Sequence, residues 1–288
     1  MNKEKLIFIP NTDITIEMLH VKGGSFLMGS DNGYYEEKPV HKVILDDFWI
    51  GKYPITQAQW HAVVTQATAQ GLPHNLNPAP ASFQSPQNPI EQVSWLDCMT
   101  WIDLLQNVIA VKNEHLDLNT NVHLRLNLPT EAQWEYAARG GIHQSPFQYA
   151  GADNLQEVGW YADNSNNTTH AVGLLKPNEL GIYDMSGNLL EWCLDKWNEL
   201  IYEYTPANFQ NPVLLDDYIT DSNAVVSSIE NYIKTRGNNR CVMRGVVGLR
   251  LLTTVVFHFV MLLLLMIWTT AMVLGYLEMF LCKLCSLD

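Results

Sequence analysis

Apolar and polar residues alternate along Ile14–Val21, and Gly23-Gly24 turns this expected strand into Ser25–Gly29. Asp31–Lys38 is polar and glycine-containing and reads as a loop. Val40–Tyr53 alternates again and is rich in β-branched and aromatic residues, which fit a half-buried strand. The period then lengthens. Thr56 and Gln59 have capping-box spacing, so a helix is expected over Gln57–Gln66 with Trp60, Val63 and Val64 as its buried stripe. Gly71–Pro89, rich in Pro, Asn and Ser, reads as an irregular surface loop. Ser94 and Asp97 cap a second helix, Trp95–Val111, in which Trp101, Leu104, Leu105 and Val108 recur at helical spacing. Polar Lys112–Asn121 leads into a short strand, Val122–Leu128. Thr130 and Gln133 make another capping box for a third helix, Glu131–Arg139, stopped by Gly140-Gly141.

Periodicity weakens from Ile142 to Leu180. Asn, Asp and Gly are interleaved there with Trp160, Tyr161, Val172 and Leu174, which implies an ordered, irregular meander. Asn198–Asn239, carrying Asp216, Asp217, Asp221, Pro206 and Pro212, is the least informative part of the chain. Leu251–Leu277 contains no Asp, Glu, Lys or Arg. It is long enough to cross a bilayer as a helix, for which about 20 apolar residues suffice.

The formal charge is −13. All of that excess precedes Val246, because Arg250 and Lys283 balance Glu278 and Asp288. So acidic a body disfavours nucleic-acid backbones, where Lys and Arg must replace counterions, and is compatible with binding cations. Met1–Pro10 lacks the apolar core and cleavage site of a signal peptide, so a cytoplasmic location is expected. The cysteines, Cys98, Cys193, Cys241, Cys282 and Cys285, are odd in number and scattered, unlike a disulfide framework. Cys282 and Cys285 form a lone CxxC, weak evidence for zinc.

Gly181–Trp192 sets Asp184, Asn188 and Glu191 among the apolar Tyr183, Met185, Leu189, Leu190 and Trp192. Gly181 and Gly187 permit main-chain conformations that a side chain penalises. Taken alone, the residues favour a buried turn that satisfies its own polar groups. A loop converging on a hard cation is the alternative.

This stretch follows other segments in order: Val21–Ser30, Glu37–Val43, Phe48–Trp60, Pro89–Asp97, Leu126–Gly141, Glu157–Asn164 and Lys176–Trp192, with Val242–Gly245 after it. Together they resemble the formylglycine-generating enzyme family, whose sulfatase-modifying factor domain is a relative of the C-type lectin fold. The resemblance implies an α+β, C-type-lectin-like domain over residues 1–245, with few short helices and strands and much irregular structure. It also implies a Ca²⁺ site at Asp184 and Glu191 by side chain and at Gly187 and Leu189 by carbonyl. A second, less charged site falls on Asn154, Leu155, Asn164 and Asn166.

Family oxidases bind Cu(I) through two cysteines in a segment that follows Arg-Gly-Gly-Ser. Here Arg244-Gly245 is followed by Val246-Val247-Gly248-Leu249, with no cysteine before Cys282, so no copper is expected. Cys193 and Cys241 match neither ligand. A histidine triad, as in the ergothioneine-synthase branch, finds no match among the scattered His41, His61, His74, His115, His123, His143 and His170. The resemblance stops at Gly245, leaving residues 246–288 as an apolar tail. Read with a shifted frame, the tail permits Gly-Ser-Trp, then Cys-Arg, Arg-Tyr and Gly-(Phe/Ile)-Arg-Leu, the family's own ending. A frameshifted terminus that stands outside the core is therefore expected, with a transmembrane anchor as the alternative. The function implied is a catalytically inactive binding or structural domain, stabilised by calcium, with an unknown protein or small ligand as partner. Ligand-display proteins diversified by retroelements share this fold. The alternatives are a metal-dependent oxidase acting on protein cysteine and a membrane-anchored interaction protein.

Overall fold

A computed structural model describes residues 3–110, 124–215, 218–221, 241–245, 259–261 and 264–267. β1 (Glu4–Phe8) pairs antiparallel with β2 (Thr15–Val21). The turn between them is held by Thr12, which donates to the Ile9 carbonyl at 2.8 Å and accepts from the Ile14 N–H at 3.1 Å. The pattern gives no sign of β1, because its outward residues Leu6 and Phe8 are apolar and exposed, so nothing alternates.

β3 (Gly24–Met28) pairs with β4 (His41–Leu45), while β5 (Phe48–Gly51) pairs with β2. The single strand expected over Val40–Tyr53 is thus two strands in two sheets. The break falls at Asp46-Asp47, whose carboxylates are occupied elsewhere. Asp46 accepts from Asn211 at 2.8 Å, and Asp47 accepts from the Gly23 N–H at 2.9 Å.

α1 (Gln57–Ala69) starts at the expected capping box, with Thr56 accepting from the Gln59 N–H at 3.3 Å and Gln59 from the Thr56 N–H at 2.8 Å. It packs on α2 (Trp95–Ala110) through Trp60 and Trp101, fully buried and stacked with centroids 5.7 Å apart. β6 (Leu124–Asn127) leads into α3 (Glu131–Ala138), again opened by its expected box. Between α3 and residue 190 the chain is the anticipated meander, with a short α4 (Leu155–Val158).

β7 (Leu190–Lys196) and α5 (Ile201–Tyr204) follow. The described part of Asn198–Asn239 adds three short strands, β8 (Phe209–Gln210), β9 (Pro212–Leu215) and β10 (Tyr218–Asp221). β11 (Cys241–Gly245), β12 (Phe259–Met261) and β13 (Leu264–Ile267) complete the described elements. The sheets run β1-β2-β5-β13-β6, β11-β7-β12, β3-β4-β8 and β10-β9. One hydrophobic core lies between α1, α2 and the larger sheet; a second joins α3 to β3, β4 and the Gly181–Trp192 loop.

The described part of the tail is two short strands. β12 runs parallel to β7, and β13 lies between β5 and β6, pairing Leu265 with Trp49 on one side and Leu126 on the other. β11 and β12, on either side of residue 245, thus both pair with β7. Main-chain pairing accepts any side chain, and a continuous apolar run suits a central strand covered on both faces. Among the described residues no helix is long and apolar enough to cross a membrane; most of Leu251–Leu277 lies outside them, and its described parts are β12 and β13. Truncation after Gly245 is accordingly expected to abolish cooperative melting, because β5 and β6 lose their shared neighbour. Thermal unfolding of the full and truncated chains checks this, and equal cooperativity would contradict it.

Candidate metal centre

The Gly181–Trp192 loop turns sharply three times, with Gly181 at φ +84°, Asp184 at +60° and Asn188 at +69°. Asp184 is thereby pointed inward and is 4% exposed. Its Oδ2 accepts from the Gly173 N–H at 2.8 Å and its Oδ1 from the Asn188 amide at 3.4 Å. Asn188 also clamps His170, accepting from its N–H and donating to its carbonyl, both at 3.0 Å.

Glu191, one residue into β7, is 1% exposed and accepts from the Trp134 indole of α3 at 3.0 Å. Burial raises the Asp184 carboxyl to about 6. Burial also raises Glu191 to about 8, and the nearby Asp184 charge adds to the rise. Among the described residues, every group acting on this pair is neutral or negative.

The loop lies main chain to main chain on a second loop. Asn188 donates from its N–H to the Trp160 carbonyl at 2.8 Å. Gly187 faces Gly159 and Trp160 so closely that a Cβ on it would lie 2.5 Å from the Trp160 nitrogen. Leu189 ends the loop with its carbonyl against Gly245, whose φ of +136° no side chain adopts easily. The structure therefore brings Asp184, Gly187, Leu189 and Glu191 into one short, buried loop.

A divalent cation fits the chemistry of this loop, since among the described residues no positive group acts on its two desolvated carboxylates. Among the described residues no three His, Cys, Asp or Glu side chains are placed to hold a metal ion. The pair would be completed by main-chain carbonyls, with Gly187 and Leu189 supplying them.

The second set is also brought together, and three of its four residues hold hydrogen bonds there. Asn154 caps α4, accepting from the Gln156 N–H at 3.2 Å. Asn164 accepts from the Tyr161 N–H at 2.7 Å and donates to the Gly159 carbonyl at 3.0 Å. The Leu155 carbonyl accepts from the Gly159 N–H at 2.8 Å, and Asn166 sits at φ +53° in the adjoining turn. These residues form a polar turn with no carboxylate among them.

Beside the loop lies a buried ionic network that the sequence pattern does not reveal. Arg244 of β11 pairs with Glu131 of α3 at 3.0 Å, also with Glu135, and donates to the Tyr202 hydroxyl at 2.9 Å. Glu135 accepts from the Gly29 N–H and from Arg139, each at 2.9 Å. The one available signal is Glu131 and Glu135 spaced i,i+4 on a helix otherwise almost wholly buried.

Asp195 of β7 closes the network, accepting from the Glu131 N–H at 2.6 Å and the Leu214 N–H at 2.9 Å. Burial, with the Glu131 charge next, raises its carboxyl to about 7. A carboxyl raised on folding binds protons more tightly in the folded state. Its contribution is therefore most favourable below the unfolded value of about 4 and is lost as pH rises to about 7. Melting temperature is expected to fall over that window, and to fall less in Asp195→Asn; parallel pH profiles would contradict the assignment.

Cys193 on β7 and Cys98 on α2 are fully buried, and burial pushes both thiols well up, which suits packing rather than thiolate ligation. Cys241 opens β11, partly buried. His41 packs edge-on to Tyr202, and His170 stacks on Trp160 with centroids 3.9 Å apart. His61 and His74 meet threonines of α1 instead. His115, His123, Cys282 and Cys285 lie outside the described residues.

A mixed α+β domain with few helices, short strands and a long ordered meander pinned by a buried acidic loop is the architecture of formylglycine-generating-enzyme-type domains. The profile of the sulfatase-modifying factor enzyme 1-like domain matches residues 8–252, and the chain belongs to that family. It is 32% identical to the chaperone protein LppX of Paenibacillus barcinonensis over 235 residues, covering 69% of this chain and 77% of that one. It is 27% identical to the formylglycine-generating enzyme of Mycobacterium tuberculosis over 220 residues, 61% of this chain and 73% of the enzyme. A serine/threonine-protein kinase of Chlamydia pneumoniae is also 27% identical, with the match spanning only 31% of the kinase. Among solved structures, Treponema denticola variable protein 1 shares the fold, with TM-score 0.59 and 21% identity over 91% of this chain and 98% of the other.

Proposed function

We propose that this is a binding domain of the formylglycine-generating-enzyme type without oxidase activity, its irregular half held by Ca²⁺. Asp184 and Glu191 would hold the ion by side chain, and Gly187 and Leu189 by carbonyl. The observation that carries the calcium reading is the buried Asp184–Glu191 pair, on which no positive group acts among the described residues. Bound Ca²⁺ supplies the missing charge and ties β7 to the meander.

Added Ca²⁺ is expected to stabilise the native state by about 2.7 kcal/mol at a hundred times its Kd, a rise of several degrees in melting temperature. Melts in Ca²⁺ and in chelator check this for the wild type and for Glu191→Ala, in which the two conditions should coincide. Identical wild-type melts with and without Ca²⁺ would sink the site.

The likeness to named formylglycine-generating enzymes favours a second reading, a metal-dependent oxidase acting on protein cysteine. Against it, no cysteine follows Arg244-Gly245 before Cys282. Incubation with Cu(I), O₂ and a sulfatase-type cysteine peptide is expected to yield no aldehyde by mass spectrometry. Turnover that disappears on mutating Cys193 or Cys241 would establish the oxidase instead. A surface for ligands is also consistent with the shared fold of the variable protein, and the acidic body points away from nucleic acid.

A further inference from the structure

We propose that the face formed by the 3₁₀ turn Tyr35–Glu37 and α5 docks a basic, arginine-bearing segment of a partner protein. This goes beyond the calcium reading and does not depend on it. Tyr34, Tyr35 and Tyr204 are 59%, 62% and 65% exposed. Tyr202, on the other side of α5, is instead buried against His41 with ring centroids 4.7 Å apart. One tyrosine thus anchors the helix while its neighbour is displayed.

The two segments form a single face although they are far apart in sequence. The Tyr35 hydroxyl donates to the Glu203 carboxylate at 2.8 Å, and Glu199 and Tyr204 lie close enough to act electrostatically on the same phenol. Glu37 folds back to accept from the Tyr34 N–H at 3.3 Å, fixing the turn that presents the rings. Residues 31–38 and 199–204 carry five carboxylates, Asp31, Glu36, Glu37, Glu199 and Glu203, against one lysine, Lys38.

Tyrosine is among the side chains that most often anchor protein interfaces, because it buries much area for little lost rotamer freedom. Rings interleaved with carboxylates suit one chemistry in particular. A guanidinium can lie flat on a phenol face while its edge pairs with a carboxylate. An ammonium lacks the planar fork, and phosphate-bearing partners meet repulsion.

The test is fluorescence anisotropy of labelled peptides titrated with the intact protein. Octa-arginine is expected to bind more tightly than octa-lysine, and octa-glutamate not at all. Tyr34→Ser, Tyr35→Ser and Tyr204→Ser combined should weaken octa-arginine binding about tenfold. The same positions changed to Phe keep the rings and should retain most of the affinity. Glu36→Gln, Glu199→Gln and Glu203→Gln together should also weaken binding, whereas Asp13→Asn, Asp163→Asn and Glu179→Gln, the same charge change elsewhere, should not. Melting curves confirm that each variant is folded. The proposal is overturned if the wild type does not bind octa-arginine, if the serine variant binds equally well, or if the distant charge changes weaken binding as much. Self-association lost in the serine variant would also overturn it, by assigning the face to a second copy.

Discussion

Arg244→Met is expected to lose about 3–5 kcal/mol of stability, a large share of the roughly 5–15 kcal/mol by which a domain is folded. Arg244 lies largely buried between Glu131 and Glu135, with side chains 16%, 14% and 6% exposed. Removing the guanidinium leaves two carboxylates desolvated and mutually repelling, and the Tyr202 hydroxyl loses a donor. The effect comes less from the lost attraction than from stranding its partners. Arg244→Met combined with Glu131→Gln and Glu135→Gln should therefore be more stable than Arg244→Met alone. Urea unfolding of the three proteins checks this. If the single variant matches wild type, or the triple variant is worse than the single, the network does not bear on stability as described. The network joins α3, α5, β11 and the Gly29 turn, so the loss should be global rather than confined to one loop.

Gly187→Ala is expected to cost about 3 kcal/mol or more, the upper range for forcing atoms into filled space. The added methyl would lie 2.5 Å and 2.6 Å from the Trp160 nitrogen and oxygen and 2.8 Å from the Gly159 Cα. All three are main chain, so no side chain can swing aside. The two loops must part, breaking the bond from the Asn188 N–H to the Trp160 carbonyl and shifting the carbonyls at 187 and 189. The variant should thus lose Ca²⁺-dependent stabilisation as well as baseline stability. Gly71→Ala is the control: nothing lies within 4 Å of a Cβ there, and only its own φ of +70° is strained. Hydrogen exchange that opens at 159–160 and 187–189 in Gly187→Ala would locate the damage. Retention of the full Ca²⁺ response would show that the loop contact is not needed for the site.

The helix starts were legible because a capping box is complete within four residues. Thr56–Gln59 and Thr130–Gln133 behave as their spacing requires. The end of α1 was less so: with no glycine or proline before Gly71, the helix runs on to Ala69. β1 escaped notice because its outward face is apolar, and β4 and β5 merged because a change of sheet leaves alternation intact. The Gly181–Trp192 loop was marked as a calcium candidate only by resemblance. Its residues alone suit a self-satisfied turn, and in the second set Asn154, Leu155 and Asn164 hold hydrogen bonds within their own turn.

By itself the sequence determined what acts over short range: the helix starts, the acidic balance, the order of family segments, and the absence of cysteine between Gly245 and Cys282. Tertiary structure alone decided which charges find partners. Arg244 meets Glu131 and Glu135 from more than a hundred positions away, while Asp184 and Glu191, no less acidic in sequence, are buried with no such partner among the described residues. It likewise decided that part of an apolar tail lies between β5 and β6. The reason is that capping and periodicity depend on neighbours along the chain. Desolvation, charge compensation and strand pairing depend on neighbours in space, which exist only once the chain has folded.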